Sequence, residues 1–278
     1  MNVKWLFETD IFDENIHKLV KACEAIGLES KICAYEHFGM NKSYLDLFKP
    51  DDCVVTYTSL EFAVQIKRGA KWIPGSYCNL PNYECTSYYP LIGDDLLNAD
   101  YVMLPFGELS RRRDWLFDHL GTDGCFFVRP NRGNKIFTGK VIERERFDRE
   151  LKLLGFYKVQ DNELVVAAEP QNVTGEYRFV VADNKIVAGS QYRDNYGKVE
   201  CSPNVPPEAY DLANRYSHLT PDRCWCIDIC YRRYYNDYKV MEINSFGCSG
   251  LYECDPMSVV RMVSKAAWKE YNEYENNH

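Results

Sequence analysis

Two carboxylates and an amide stand out in the strand-like runs "CWCIDIC" (Cys224–Cys230) and "YKVMEIN" (Tyr238–Asn244). Side chains alternate between the two faces of a strand. Asp228 therefore sits on one face between Cys226 and Cys230, while Glu242 and Asn244 share a face with Val240, opposite Lys239, Met241 and Ile243. If the connecting loop sets Asp228 across from Glu242 or Asn244, three oxygen-bearing side chains converge. Such a set of hard ligands suits magnesium, which usually completes its octahedron with waters and the phosphates of a nucleotide. The pattern fits equally well with acids that point to solvent from a half-exposed sheet.

A second group lies in "GEYRFVVADNKIVAGSQYRDN". With Asp183 and Asn184 as a two-residue hairpin turn, Arg178 pairs with Gly189 and Glu176 with Gln191. Arg178 and Arg193 then share a face with Glu176 and Gln191. The guanidinium fork suits phosphate or carboxylate, and a glycine opposite Arg178 leaves room for a ligand; an exposed sheet face with an Arg–Glu pair reads the same way. The third group is "VRPNRGNKIFTG", where Arg129 ends an apolar strand and Lys135 follows on the loop, both within reach of phosphates over a common cleft. It has neither the GxxxxGK[ST] of a P-loop nor the GxGxxG of a dinucleotide fold, and solvated loop charges account for it as well.

The elements that position these groups follow from periodicity. "VKWLFE", a helix from about Asp13 ended by Gly27, and "SKICAYE" form a strand–helix–strand unit. "DDCVVTYT", a helix through Arg68 with a capping box at Thr58 and Glu61, and "KWIPG" repeat it, which predicts a small parallel sheet covered by helices. Further on come a helix around Glu108 to Leu120, strands on either side of the "NRGNK" loop, the helix "ERERFDRELKLLG" and the strand "ELVVAAEP". Two hairpins follow, and a last helix opens with Asp255 as cap and Pro256 in its first turn.

Composition narrows the partners. Forty-one acidic against 33 basic residues give a formal charge of −8, which disfavours nucleic acid because its phosphates need clustered Lys and Arg. The run Arg111–Arg113 adjoins a helix and reads as a solvated face. No apolar run approaches the ~20 residues that span a bilayer, so no membrane partner is expected. The twelve cysteines read as reduced thiols of a cytoplasmic protein, since "MNVKWLFETD" is no secretion signal. Cys224, Cys226 and Cys230 lack the paired C-x-x-C knuckles of a structural zinc site and are expected to be buried.

In order, a phosphate-facing strand and loop, a helix, an apolar strand ending in an acid, an E-x-R hairpin and then D-x-n-E-x-N resemble the ATP-grasp superfamily. There, two α+β subdomains hold ATP between them and a preceding α/β domain helps to form the substrate cleft. The likeness covers roughly Met103 to Asp255 by motif and the N-terminal unit by architecture. More narrowly, the hairpin followed by "CWCIDI" and "VMEINSFGCSGLYECD" is similar to the divergent ATP-grasp clade. That clade contains the eukaryotic cell-division-cycle protein that assembles a translation initiation factor, with bacterial and phage relatives.

The resemblance implies an α/β domain over residues 1–102 and an ATP-grasp fold over 103–278, with subdomains 103–166 and 167–278. It implies ATP and Mg2+ as cofactors, with Asp228, Glu242 and Asn244 as metal ligands and Glu242 bridging two ions. Arg129 takes the place of a phosphate-binding lysine, and Lys135 makes a second phosphate contact. The hinge offers its backbone to adenine around Ala167 and Ala168, with Glu169 near the adenosine. Arg178 and Arg193 meet the γ-phosphate or an acyl phosphate. The implied activity is a carboxylate–amine ligase acting on an amino acid, peptide or protein. The alternative is an ATP-binding assembly factor that clamps a protein partner without ligation.

Overall fold

The computed structural model describes residues 1–36, 42–134, 136–155, 159–194, 196, 198–199 and 201–277, and among the described residues there are three four-stranded sheets. Lys135 lies outside the described residues. The first sheet is parallel, in the order β2-β1-β3-β4, formed by β1 (Val3–Glu8), β2 (Glu29–Cys33), β3 (Cys53–Tyr57) and β4 (Ile73–Gly75). Its helices are α1 (Asp13–Ala25) and α2 (Leu60–Gly69). After α1 the chain turns at Gly27, whose φ of +71° is the left-handed conformation that glycine adopts without strain. The cap of α2 is Ser59, which accepts from the Phe62 N–H, one residue later than the expected box at Thr58. A further helix, α3 (Cys85–Ile92), absent from the periodicity-based expectation, follows.

The second sheet is antiparallel, in the order β5-β8-β6-β7, from β5 (Tyr101–Pro105), β6 (Cys125–Pro130), β7 (Lys140–Glu143) and β8 (Leu164–Ala168). The single helix expected over Glu108 to Leu120 is two, α4 (Glu108–Arg111) and α5 (Arg113–His119), because Arg112 leaves the helical region at φ −99° and ψ 9°. With α6 (Phe147–Gly155) these cover one sheet face around Phe117, Phe126 and Phe147.

The third sheet, β10-β9-β11-β12, holds both hairpins: β9 (Val173–Ala182) with β10 (Lys185–Arg193), and β11 (Cys224–Arg232) with β12 (Asp237–Ser245). Alternation divides its faces. Tyr177, Phe179, Trp225, Ile227 and Ile229 pack under α3 and α7 (Pro207–Arg215). Val180, Cys224 and Cys226 pack instead against α8 (Pro256–Glu275) and the first sheet, in one core with Trp5, Phe7, Val259 and Val263. Within it the buried Trp5 indole donates to the Ser264 hydroxyl at 2.9 Å. Asp255 caps α8, accepting from the Ser258 N–H at 2.8 Å.

Candidate active site

Asp228 stands at the centre of the third sheet, with Arg178 directly across on β9 and Glu242 directly across on β12. Three adjacent strands thus bring a cation and two acids into one row, and Asn244 joins them two residues further along β12. A bulge between the Asp228–Glu242 and Ile229–Val240 pairs shapes this row. It breaks the strict alternation of β12: Val240 turns into the core with Ile243, while Met241 and Glu242 both face the same cavity. The expected sharing of one face by Val240, Glu242 and Asn244 is corrected by that extra residue.

The hairpin register also departs from expectation. A shift between Ile186 and Ala188 places Arg178 opposite Ser190, not Gly189, and a second shift places Arg193 opposite Glu176, not Gln191. Gly189 makes room for protein rather than ligand, since a Cβ there would lie 2.8 Å from the buried Phe179 ring.

Asp228 is buried at 1% exposure. Arg178 holds it with two bonds, Nε to Oδ1 at 2.8 Å and Nη2 to Oδ2 at 2.6 Å, and its Nη1 donates to the Gly250 carbonyl at 2.9 Å. Tyr192 and Tyr252, stacked at 4.8 Å, flank the guanidinium. Burial opposes the charge on Arg178, and Asp228 beside it holds its pKa well above the ordinary arginine value. In this structure Arg178 is therefore a clamp on Asp228.

The Asn244 amide nitrogen donates to Asp228 Oδ2 and to Glu242 Oε1, both at 3.1 Å. One atom thus stands between the two carboxylates, and a half-turn of the amide presents its oxygen there. Two carboxylate oxygens and an amide oxygen around one point are a donor set that fits a magnesium ion. On the outer side Arg129 Nη2 donates to Glu242 Oε2 at 3.0 Å. Alternation on β6 explains its position, because Phe126 and Val128 enter the core while Phe127 and Arg129 turn the other way.

Arg129 borders two cavities. The larger, about 400 Å³, lies between the second and third sheets and takes in Phe127, Phe137, Gly139, Gln171, Glu176 and Glu242. The smaller, about 130 Å³, is lined by Tyr83, Gly133, Asn134, Asn244, Ser245 and Ser249 among others. Burial pushes the Glu176 carboxyl up, as do Asp228 and Glu242 nearby, while Tyr192 and Arg193 partly offset this. Arg193 itself, 43% exposed, pairs with Glu176 at 3.0 Å.

Ala167 and Ala168 are not brought to the cavity. They lie buried in β8, the strand flanked by both β5 and β6, so their backbone groups are taken up by neighbouring strands. Glu169 accepts from the Thr122 hydroxyl at 2.5 Å, and the cavity wall at the hinge is Gln171 and Val173. These wall residues carry no sequence signal of their own, because they become a wall only where two sheets meet.

A family model for an ATP-grasp domain, the third family of its clade, matches residues 67–263, most of the chain. The chain belongs to this ATP-grasp family. Solved ATP-grasp structures share its fold across nearly its whole length. D-cycloserine synthetase DcsG is 12% identical over 96% of this chain and 100% of its own, with a TM-score of 0.62. D-alanyl-alanine synthetase A from Vibrio cholerae is 11% identical over 98% and 99%, with a TM-score of 0.65. The ATP-grasp ligase PsnB, solved with a minimal precursor, Mg and ADP, is 12% identical over 95% and 97%, with a TM-score of 0.56. No curated protein matches the sequence. ATP and Mg2+ are the cofactors of an ATP-grasp protein. Among the described residues no helix is long and apolar enough to cross a membrane.

Proposed function

We propose that this ATP-grasp protein is an ATP-dependent carboxylate–amine ligase. The observation that carries the reading is the convergence of Asp228, Glu242 and Asn244, with Glu242 lining the larger cavity, Asn244 the smaller and Arg129 bordering both. The larger cavity has the size of a nucleotide or drug-sized site. The smaller has room for a few water-sized groups, enough for the reacting end of a substrate beside the phosphate to be transferred.

In this reading residues 1–102 form the substrate-side unit and 103–278 the ATP-grasp unit, divided at 166/167. Asp228, Glu242 and Asn244 hold Mg2+, which when bound neutralises charge on the phosphates. Arg129 meets the phosphates, with Lys135 as a second contact, and Arg193 lies within reach of the transferring group. Arg178 acts by holding Asp228. A substrate carboxylate attacks the γ-phosphorus and ADP leaves; an amine then attacks the acyl carbon of the acyl phosphate, and phosphate leaves. The protein contributes alignment and charge rather than covalent chemistry. Support for the reaction class comes from the structural likeness to D-cycloserine synthetase, D-alanyl-alanine synthetase and the PsnB ligase.

Incubation with Mg-ATP and separate pools of amino acids and short peptides tests it. Phosphate release that requires both a carboxylate and an amine supports the ligase. Tight Mg-ATP binding without turnover in any pool supports the non-ligating clamp instead.

A further inference from the structure

We infer that Asn131 is a positioning residue for Arg129, acting as an external cap that fastens the end of β6 to helix α3. The inference rests on the reading of Arg129 as a nucleotide contact. Asn131 is 5% exposed and lies two residues after Arg129. Its carbonyl accepts from the Cys85 N–H at 2.9 Å, and its Oδ1 accepts from the Thr86 N–H at 2.9 Å. Its Nδ2 donates to Glu84 Oε2 at 3.2 Å, and its own N–H donates to the Leu164 carbonyl at 2.9 Å.

The first N–H groups of a helix have no partner within it and are usually met by the residue just before. Here that residue, Glu84, makes no side-chain cap bond. Asn131, the first residue past the end of β6, does so instead. The docking is close over the next residues as well: a Cβ at Gly133 would lie 2.9 Å from Cβ of Tyr83, a residue that lines the smaller cavity. Behind this contact, α3 presents Cys85, Tyr88 and Tyr89, all buried, and the Cys85 thiol donates to the carbonyl of Pro130, the residue after Arg129, at 3.9 Å. The helix that Asn131 caps is therefore held against the two residues that follow Arg129. The loop after β6 is tied down at its start, and lifting that point breaks two bonds to the helix and leaves its first turn open.

The test is Mg-ATP affinity, measured by calorimetry on the full chain, for Asn131→Ala in two backgrounds. If Asn131 works through Arg129, Asn131→Ala weakens binding about tenfold in the wild type. It adds less than about twofold once Arg129→Ala is present, because coupled neighbours are non-additive. Cys85→Pro is the companion variant, removing the N–H that meets the Asn131 carbonyl at the first helical position, where proline is tolerated. Glu84 before it, at φ −70° and ψ 141°, already has the extended conformation that precedes proline. The same loss in wild type and near-silence on Arg129→Ala is expected for it, so the test survives if Asn131→Ala fails to fold. Equal losses in both backgrounds, or binding within twofold of wild type for both variants, overturn the inference alone. Wild-type affinity in Arg129→Ala overturns it together with the nucleotide reading of Arg129.

Discussion

Asp228 and Glu242 are both acids on one row, yet their surroundings divide their roles. Asp228 is fully enclosed and bound twice by Arg178, so removing it leaves a buried guanidinium without its anion. Asp228→Ala should lose about 3–5 kcal/mol of stability in urea unfolding, the usual cost of breaking a buried pair by one partner. Glu242 is less enclosed, with 14% of its side chain exposed toward the larger cavity. Glu242→Gln should leave the unfolding midpoint nearly in place and weaken Mg-ATP binding at least about tenfold, as read by calorimetry with and without magnesium. The acids and Asn244 are legible in the sequence because period-two alternation alone puts Glu242 beside Asn244. The commitment of Arg178 to Asp228 is not legible, since it depends on which strand lies next to β11. That neighbour is β9, some fifty residues earlier in the chain.

At the scale of elements, the strands and most helices follow from alternation, caps and glycine stops, whereas register does not. Two bulges in the first hairpin and one in the second move partners by a residue, and nothing local in "KIVAGSQYR" or "YKVMEIN" marks them. The bulge on β12 shapes the candidate site, because it turns Met241 and Glu242 to the same cavity. Helix α7 carried a readable signal in Pro206–Pro207 and Glu208 at its start. The β6–β7 pair offers a test of how the larger cavity is shaped. A Cβ at Gly139 would meet the Phe127 ring at 2.7 Å, and both residues line that cavity. Gly139→Ala should push the ring inward and reduce Mg-ATP affinity severalfold with little change in melting temperature. An unchanged affinity would show that the ring can yield away from the cavity.

Over the whole molecule, the N-terminal unit and the ATP-grasp sheets are joined by buried polar ties as well as by a shared core. Asp222, just before β11, accepts from the Asn79 N–H at 2.9 Å and the Tyr83 hydroxyl at 2.8 Å. Burial nevertheless pushes its pKa up, against the lowering effect of these two bonds and of Lys67. A carboxyl raised in the fold contributes stability that is full below its unfolded pKa and is lost as pH rises through the folded value. The stability of the wild type relative to Asp222→Asn, which keeps an acceptor oxygen, should therefore fall as pH is raised from about 3 to 7. Melting curves across that range check it, and a difference that grows with pH would reverse the sign. The shared core has a consequence for biosynthesis. β1 leaves the ribosome long before α8, the helix that packs on the core of Trp5 and Phe7, has been made. At about 5–20 residues per second, the first sheet waits on the order of ten seconds or more with an apolar face uncovered. During that interval the uncovered face should be open to holdase chaperones, and truncation before Pro256 should turn a transient exposure into a permanent one.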